Sequence, residues 1–298
     1  MPQKVDVLAI GNLNIDLSFF LAKGPGPDSE IIADDFQMFQ GGAASNFSVG
    51  SARLGIKTGL FACIGDDEMG KEAVGELKRE GVLTSGIVSE KGQRTGTVCV
   101  LVEHSGTRRM IAFRGANKEL AKHVFSNLTN FPTKVLQLCN INREVLKAAL
   151  RNNQSEIISL DPGGASAELD VGDLQGLNIV LLNEQECRNL TGKDAEEGIK
   201  ILSDHVAYVV VKQGSKGAIF SGNGRMYRME PYRVKVADTT GAGDAFDAGF
   251  MAATIEGKDH ETRLAWASAT AALKIQKKGA RSGLPTREEL MAFLEERS

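Results

Sequence analysis

Apolar residues along this chain fall into two alternating patterns. Short, nearly continuous apolar runs occur at 5–11, 57–64, 135–139, 156–160, 178–182 and 208–212, and they predict strands. Between them lie stretches with helical spacing of apolar positions, such as 67–80, which Gly81 ends. The C-terminal part reads as helical over 245–256, 261–276 and 287–296. Strands alternating with helices predict an α/β fold: a doubly wound, mostly parallel sheet flanked by helices.

Two regions break the alternation. Residues 16–39 contain Leu17-Ser18-Phe19-Phe20 and Ile31-Ile32 around a turn at Gly24-Pro25-Gly26-Pro27, and 95–114 is a strand-forming run broken by Gly106. Strands without intervening helices do not belong in a doubly wound core. They predict a small β-sheet projecting from the main body, with a peripheral antiparallel addition as the plainer alternative. No repeat, low-complexity tract or linker divides the chain, so 1–298 reads as one domain.

Composition narrows the functional classes. A net charge of −3 with scattered Lys and Arg argues against a nucleic-acid partner. Short basic clusters such as Arg108-Arg109 and Lys277-Lys278 read as solvated surface. No apolar run approaches the ~20 residues of a membrane span, and the N-terminus passes into a strand pattern without a signal-peptide core, so a cytoplasmic protein is expected. Cys63, Cys99, Cys139 and Cys187 have no C-x-x-C pairing and read as buried reduced thiols. The four histidines lack metal-ligand spacing.

The densest chemical signal is the run 236–246, a small-residue turn opening onto the helix 246–253. The first N–H groups of a helix lack intrahelical partners and carry partial positive charge. With only Gly241, Ala242 and Gly243 there, an anion can rest directly on them. Asp244 then sets a carboxylate beside the anion, which suits proton removal from a hydroxyl that attacks phosphorus. An Asp cap after a tight turn is the plainer alternative, though it leaves the rest of the run unexplained. Asn14 and Asp16, just after the first strand, point to one side of an extended segment and offer an amide and a carboxylate suited to polyol hydroxyls. They could equally stabilise a turn. Asn183 and Glu186, read alone, form a helix cap. There is no G-x-x-x-x-G-K-[ST] loop, and Phe246 stands where a dinucleotide fingerprint needs its third small residue.

The segment Asp238-Thr239-Thr240-Gly241-Ala242-Gly243-Asp244 resembles the D-T-x-G-A-G-D motif of the ribokinase-like, or phosphofructokinase-B, family of sugar and nucleoside kinases. Gly41-Gly42-Ala43-Ala44-Ser45-Asn46 resembles its G-G-x-x-x-N motif, in the expected order. The resemblance, which extends over nearly the whole chain, implies a ribokinase-like fold in which the small sheet is a lid over the substrate. It implies Asp244 as catalytic base and Gly241, Ala242 and Gly243 as an anion hole. Acceptor contacts would come from Asn14, Asp16, Gly41, Gly42 and Asn46. The N-x-x-E match at Asn183 and Glu186 implies a place near the phosphates, with Glu186 reaching Mg²⁺ through water. The K-x-G-x-x-G match implies nucleotide contacts from Lys212, Gly214, Ser215 and Gly217. Asp238 and Thr240, with backbone near 279–283, correspond to a monovalent-cation site in potassium-activated members.

The expected reaction is transfer from a nucleotide, ATP or alternatively ADP, to a hydroxymethyl group of a small sugar. Alternatives are a nucleoside acceptor, an anionic sugar such as a keto-deoxy acid or sugar phosphate, and a non-catalytic nucleotide- or sugar-binding regulator. One departure puts plain ribose in doubt: ribokinases carry G-G-K-x-x-N, whereas this chain has Ala43, and Arg114, with Arg108 or Arg109, could meet a carboxylate or phosphate on the substrate, with exposed hairpin arginines as the plainer alternative. Exposed lid strands also suggest a homodimer through lid pairing.

Overall fold

The computed structural model describes residues 4–297. The chain begins with β1 (Val5–Gly11), β2 (Asn14–Leu21) and β3 (Asp35–Gly41), followed by α1 (Ala43–Arg53) and β4 (Thr58–Gly65). Next come α2 (Glu68–Arg79), β5 (Leu83–Glu90), β6 (Gly96–Glu103), β7 (Arg108–Phe113) and α3 (Leu120–Asn127). The middle alternates: β8 (Thr133–Cys139), α4 (Arg143–Asn152), β9 (Ile157–Asp161), β10 (Ile179–Asn183), α5 (Glu184–Thr191), α6 (Ala195–Ser203) and β11 (Tyr208–Lys212). A hairpin of β12 (Ala218–Gly222) and β13 (Arg225–Met229) precedes α7 (Ala242–Ile255), α8 (His260–Lys274) and α9 (Arg287–Glu295).

Nine strands form the main sheet in the order β13-β12-β11-β10-β9-β8-β1-β4-β5. Pairings from β5 to β11 are parallel, and the two involving β12 are antiparallel. Alternation along β1 explains how one strand serves two layers: Val7 and Ala9 enter the core beneath α7 and α8, while Leu8 and Ile10 enter the core on the opposite face. β1 lies between β4 and β8, so the chain winds away from it in both directions. Ligand crevices in open α/β sheets form at the carboxyl ends of strands beside such a reversal. Register places Gly11 opposite Cys139, Cys139 opposite Asp161, and Asn183 opposite Lys212 along that edge.

The four-stranded second sheet, ordered β3-β2-β6-β7, confirms the small sheet expected from 16–39 and 95–114. Its details correct the expectation. Ile31 and Ile32 lie in the loop between β2 and β3, outside any strand, and Asn14 is already the first residue of β2. β5 and the β12–β13 hairpin were not anticipated. The hairpin turns at Asn223 and Gly224, both with positive φ, an Asn-Gly signal typical of two-residue turns. Cys63, Cys139 and Cys187 are buried and free as expected, whereas Cys99, on the lid strand β6, is only half-buried. Among the described residues no helix is long and apolar enough to cross a membrane.

Candidate active site

Among the described residues, six of the nine α-helices start at an Asp, Asn or Thr whose side chain accepts a hydrogen bond from the first turn. The starts of α1 and α7 differ. Their caps are Gly42 and Gly241, with φ of 95° and 76°, and no side chain satisfies the first turn. Both glycines are required by geometry as well as by φ. A Cβ on Gly42 would sit 2.2 Å from the Asn12 carbonyl oxygen, and one on Gly241 would sit 2.8 Å from that of Ala280. Among the described residues the α7 start leaves the N–H groups of Gly241 and Gly243 without an acceptor, while the Ala242 N–H donates to Thr239 O at 3.1 Å.

One hydrogen bond joins these two helix starts. The Asn46 amide nitrogen donates to Asp244 Oδ2 at 2.9 Å. The Asn46 orientation is fixed from behind by Arg281, whose Nε donates to Asn46 Oδ1 at 2.9 Å. Arg281 also donates to Ser45 Oγ, Gly41 O and Glu76. Burial pushes Asp244 up to about 6; the Asn46 bond and Arg281 pull the other way, while Asp161 adds to the rise. Burial likewise pushes Asp16 up to about 6, partly offset by Arg281. The Asp16 carboxylate lies over Gly41, and among the described residues no donor is hydrogen-bonded to it. Asn14 Oδ1 accepts from Asn117 at 2.9 Å, and Asn117 also holds both backbone polar groups of Leu13.

A second cluster lies along the carboxyl edge. Lys212 Nζ donates to Asp161 Oδ2 at 2.7 Å and to Asp247 Oδ1 at 3.0 Å. Burial opposes its charge, but Asp161, Asp247 and Glu186 hold it well above the usual lysine range. Two carboxylates sharing one ammonium cannot both ionise freely: burial drives Asp247 up, while Lys212 keeps Asp161 below its ordinary value. Lys212 was expected to touch nucleotide. Its ammonium lies between Asp161 and Asp247, 3.5 Å from where a Cβ on Gly243 would sit. Asn183 and Glu186 form a reciprocal capping box at the start of α5. Burial and the charge of Asp161 push Glu186 up to about 7. Gly214 and Ser215 lie exposed in the turn after β11, and Gly217 packs against Met229.

Asp238 accepts from Thr240, Gly279 N and the lid residue Arg108, whose Nη2 lies 2.9 Å away. Despite burial, these donors hold Asp238 at about 2. Arg108 was read as solvated surface; it clasps the lid to the loop before α7 instead. Arg114 is exposed just beyond β7, and its carbonyl accepts from the Asn117 N–H at 3.1 Å. The sequence reading missed Arg281, Asp161, Asp247 and Asn117. Asp247 carried a detectable signal: a charge within the otherwise apolar stretch 245–253 is normally paired.

Among the described residues no group of three His, Cys, Asp or Glu side chains could hold a metal ion alone. The pfkB family carbohydrate kinase model matches residues 4–287. The chain belongs to that family. It is 29% identical over 299 residues to a ribokinase of Haemophilus influenzae, covering 96% of this chain and 97% of the relative. It is also 29% identical to an ATP-dependent ribose-1-phosphate kinase of Halopiger xanaduensis, covering 98% and 99% of the two chains. The solved ribokinase of Thermotoga maritima matches with a TM-score of 0.87 at 28% identity, over 98% of this chain and 99% of that one. As a pfkB-family kinase, the protein is a phosphotransferase acting on a sugar hydroxyl.

The geometry predicts an acid limb in kcat/KM for the acceptor. A carboxylate acting as base must be ionised, so activity rises with pH through about 6. Asn46→Ala removes a bond that favours the ionised form and should move the limb upward by roughly one pH unit. Asp16→Asn should weaken acceptor binding but leave the limb in place. A limb that moves with Asp16 and not with Asn46 would transfer the titration to Asp16.

Proposed function

We propose that the protein transfers the terminal phosphoryl group of ATP to a hydroxymethyl group of a small sugar, with Asp244 as general base. The observation carrying this reading is Asp244 itself: a half-buried carboxylate in the first turn of an uncapped helix, raised to about 6 and oriented by Asn46. The acceptor hydroxyl lies against Asp244, with Asp16 and Asn14 on the sugar's other hydroxyls and the Gly41–Gly42 backbone beneath it. Asp244 takes the hydroxyl proton as the new O–P bond forms and the bond to the leaving ADP oxygen breaks. N–H groups at Gly241, Ala242 and Gly243 receive the charge of the phosphoryl oxygens. Mg²⁺ would neutralise phosphate charge while keeping most of its waters, with Glu186 and Asn183 placed to bind those waters. Gly214, Ser215 and Gly217 form the nucleotide's turn. ATP-dependent chemistry of this kind fits a cytoplasmic enzyme.

An anionic acceptor is favoured by the lid's arginines. Arg108 is committed to Asp238 and Arg109 to Glu103, whereas Arg114 makes no ion pair among the described residues. A guanidinium free at the lid's end suits a carboxylate or phosphate on the sugar. The lid also supports a homodimer: β7 is an edge strand, exposed throughout, with Met110, Ile111 and Phe113 on it.

Asp244→Asn should lower kcat by about 10²-fold or more while ATP affinity holds. It should also stabilise the fold at neutral pH. A carboxyl whose folded pKa exceeds its unfolded one costs nothing below about 4 and progressively more up to about 6, so the gain should vanish in acid. Turnover near wild type would remove Asp244 from the mechanism. Arg114→Ala should cut kcat/KM for ribose 1-phosphate or a keto-deoxy acid by about tenfold or more and spare ribose. Equal losses on both would make Arg114 a lid support and return the neutral sugars to the lead. Sedimentation should give a mass of two chains for the wild type and one for Ile111→Glu; a monomeric wild type ends the lid-pairing reading.

A further inference from the structure

Potassium-activated relatives would hold a monovalent cation at the loop corresponding to Asp238 and Thr240, using oxygen ligands from that loop and from the backbone near 279–283. The residues present here do not fit such an ion. A bound cation needs lone pairs aimed at it, and here donors already sit on the side-chain oxygens of Asp238 and Thr240. Asp238 Oδ1 accepts from Thr240 N, Thr240 Oγ1 and Arg108 Nη2. Asp238 Oδ2 accepts from the Gly279 N–H at 2.9 Å, so at that position the 279–283 segment turns a donor, not a carbonyl, toward the carboxylate. The Thr240 hydroxyl also accepts from Arg108 Nη1 at 2.7 Å.

The Asp238 carbonyl accepts from Lys274 Nζ at 2.8 Å. Lys274 ends α8 and is fully buried, with 0% exposure. Its backbone is fixed as well. The next carbonyl, Ile275 O, accepts from both Ala237 N and Asp238 N, and Gly283 packs so closely on Lys274 O that a Cβ there would lie 2.2 Å from it. A buried ammonium is retained only where nearby oxygens compensate its desolvation. Burial pulls Lys274 below the usual lysine range and Arg108 adds to that, while Asp238 and Asp244 are the counter-charges that oppose it.

We infer that Lys274 is the resident monovalent cation of this enzyme: its ammonium holds the 238–241 loop, and with it the anion turn, without potassium. Lys274 is thus a positioning residue, acting through the Asp238 carbonyl on donors three to five residues further along. A potassium ion entering the same loop would meet the ammonium and Arg108 at close range and be repelled.

The test needs no knowledge of the acceptor, so it stands apart from the substrate reading above. Melting midpoints and ATP affinity by calorimetry are measured at one ionic strength in KCl, NH₄Cl and tetramethylammonium chloride. For the wild type, all three salts should give the same midpoint and the same Kd. Lys274→Ala, which empties the position, should bind ATP about tenfold more weakly in tetramethylammonium chloride and recover in KCl or NH₄Cl, with a saturable rise in midpoint. Lys274→Met, which keeps the volume and loses the charge, should show the weaker binding in every salt. A wild type stabilised by KCl over tetramethylammonium overturns the inference. So does a folded Lys274→Ala protein that binds ATP like the wild type in all three salts. If neither variant folds, the wild-type comparison decides alone.

Discussion

The hydrogen bond from Asn46 to Asp244 is the contact on which the site depends. It joins residues 198 positions apart and sets the starts of two glycine-capped helices against each other. Each helix start brings unsatisfied backbone donors, so their convergence makes a polar floor between the layers without introducing charged side chains into the strands. Arg281 stands behind the bond and donates to Asn46, Ser45 and Gly41 O, so the amide cannot turn over without abandoning an almost fully buried guanidinium. The orientation of the proposed base is therefore set by a cation in the 279–284 segment that never touches its carboxylate.

Buried carboxylates outnumber their partners along the sheet's carboxyl edge. Asp161 and Asp247 share Lys212, while Glu186 and Asp244 have only amide donors nearby and are pushed up to about 7 and about 6. Such crowding costs stability in the free protein and is characteristic of sites tuned for proton transfer or for polyphosphate with its metal.

Contiguous features were legible in the sequence, and distributed ones were not. Strands such as β4 and β11 announced themselves because the sheet buries nearly all their residues, which leaves unbroken apolar runs. β5 mixes Thr, Ser and Gly with its apolar positions, and β13 carries arginines, so neither stands out. The glycine and aspartate motifs were readable because one loop supplies all their atoms. Arg281 and Asp161 act through partners that folding alone supplies, and a solitary charge in sequence looks like solvated surface. Asp247 was an exception that could have been found, since it interrupts the apolar stretch at the start of α7 and so demanded an internal partner. The inward turn of Lys212 was unreadable for the same reason: its two carboxylates lie 51 and 35 residues away.

Asn117 gives the lid a mechanical property. Its single amide grips Leu13 and Asn14 where β2 leaves the main body, and it sits four residues past the end of β7, so two lid strands are tethered at one point. Any rocking of the small sheet must turn about that point. At roughly 3.3 Å per strand residue, Asp16 is about 7 Å along β2 from Asn14, while Leu21 at the strand's far end is about 23 Å away. The far end therefore sweeps more than three times the arc travelled by Asp16. The sheet is thus built as a lever with the Asp16 carboxylate beside the fulcrum, and its far end is held down by the bonds from Arg108 to Asp238 and Thr240.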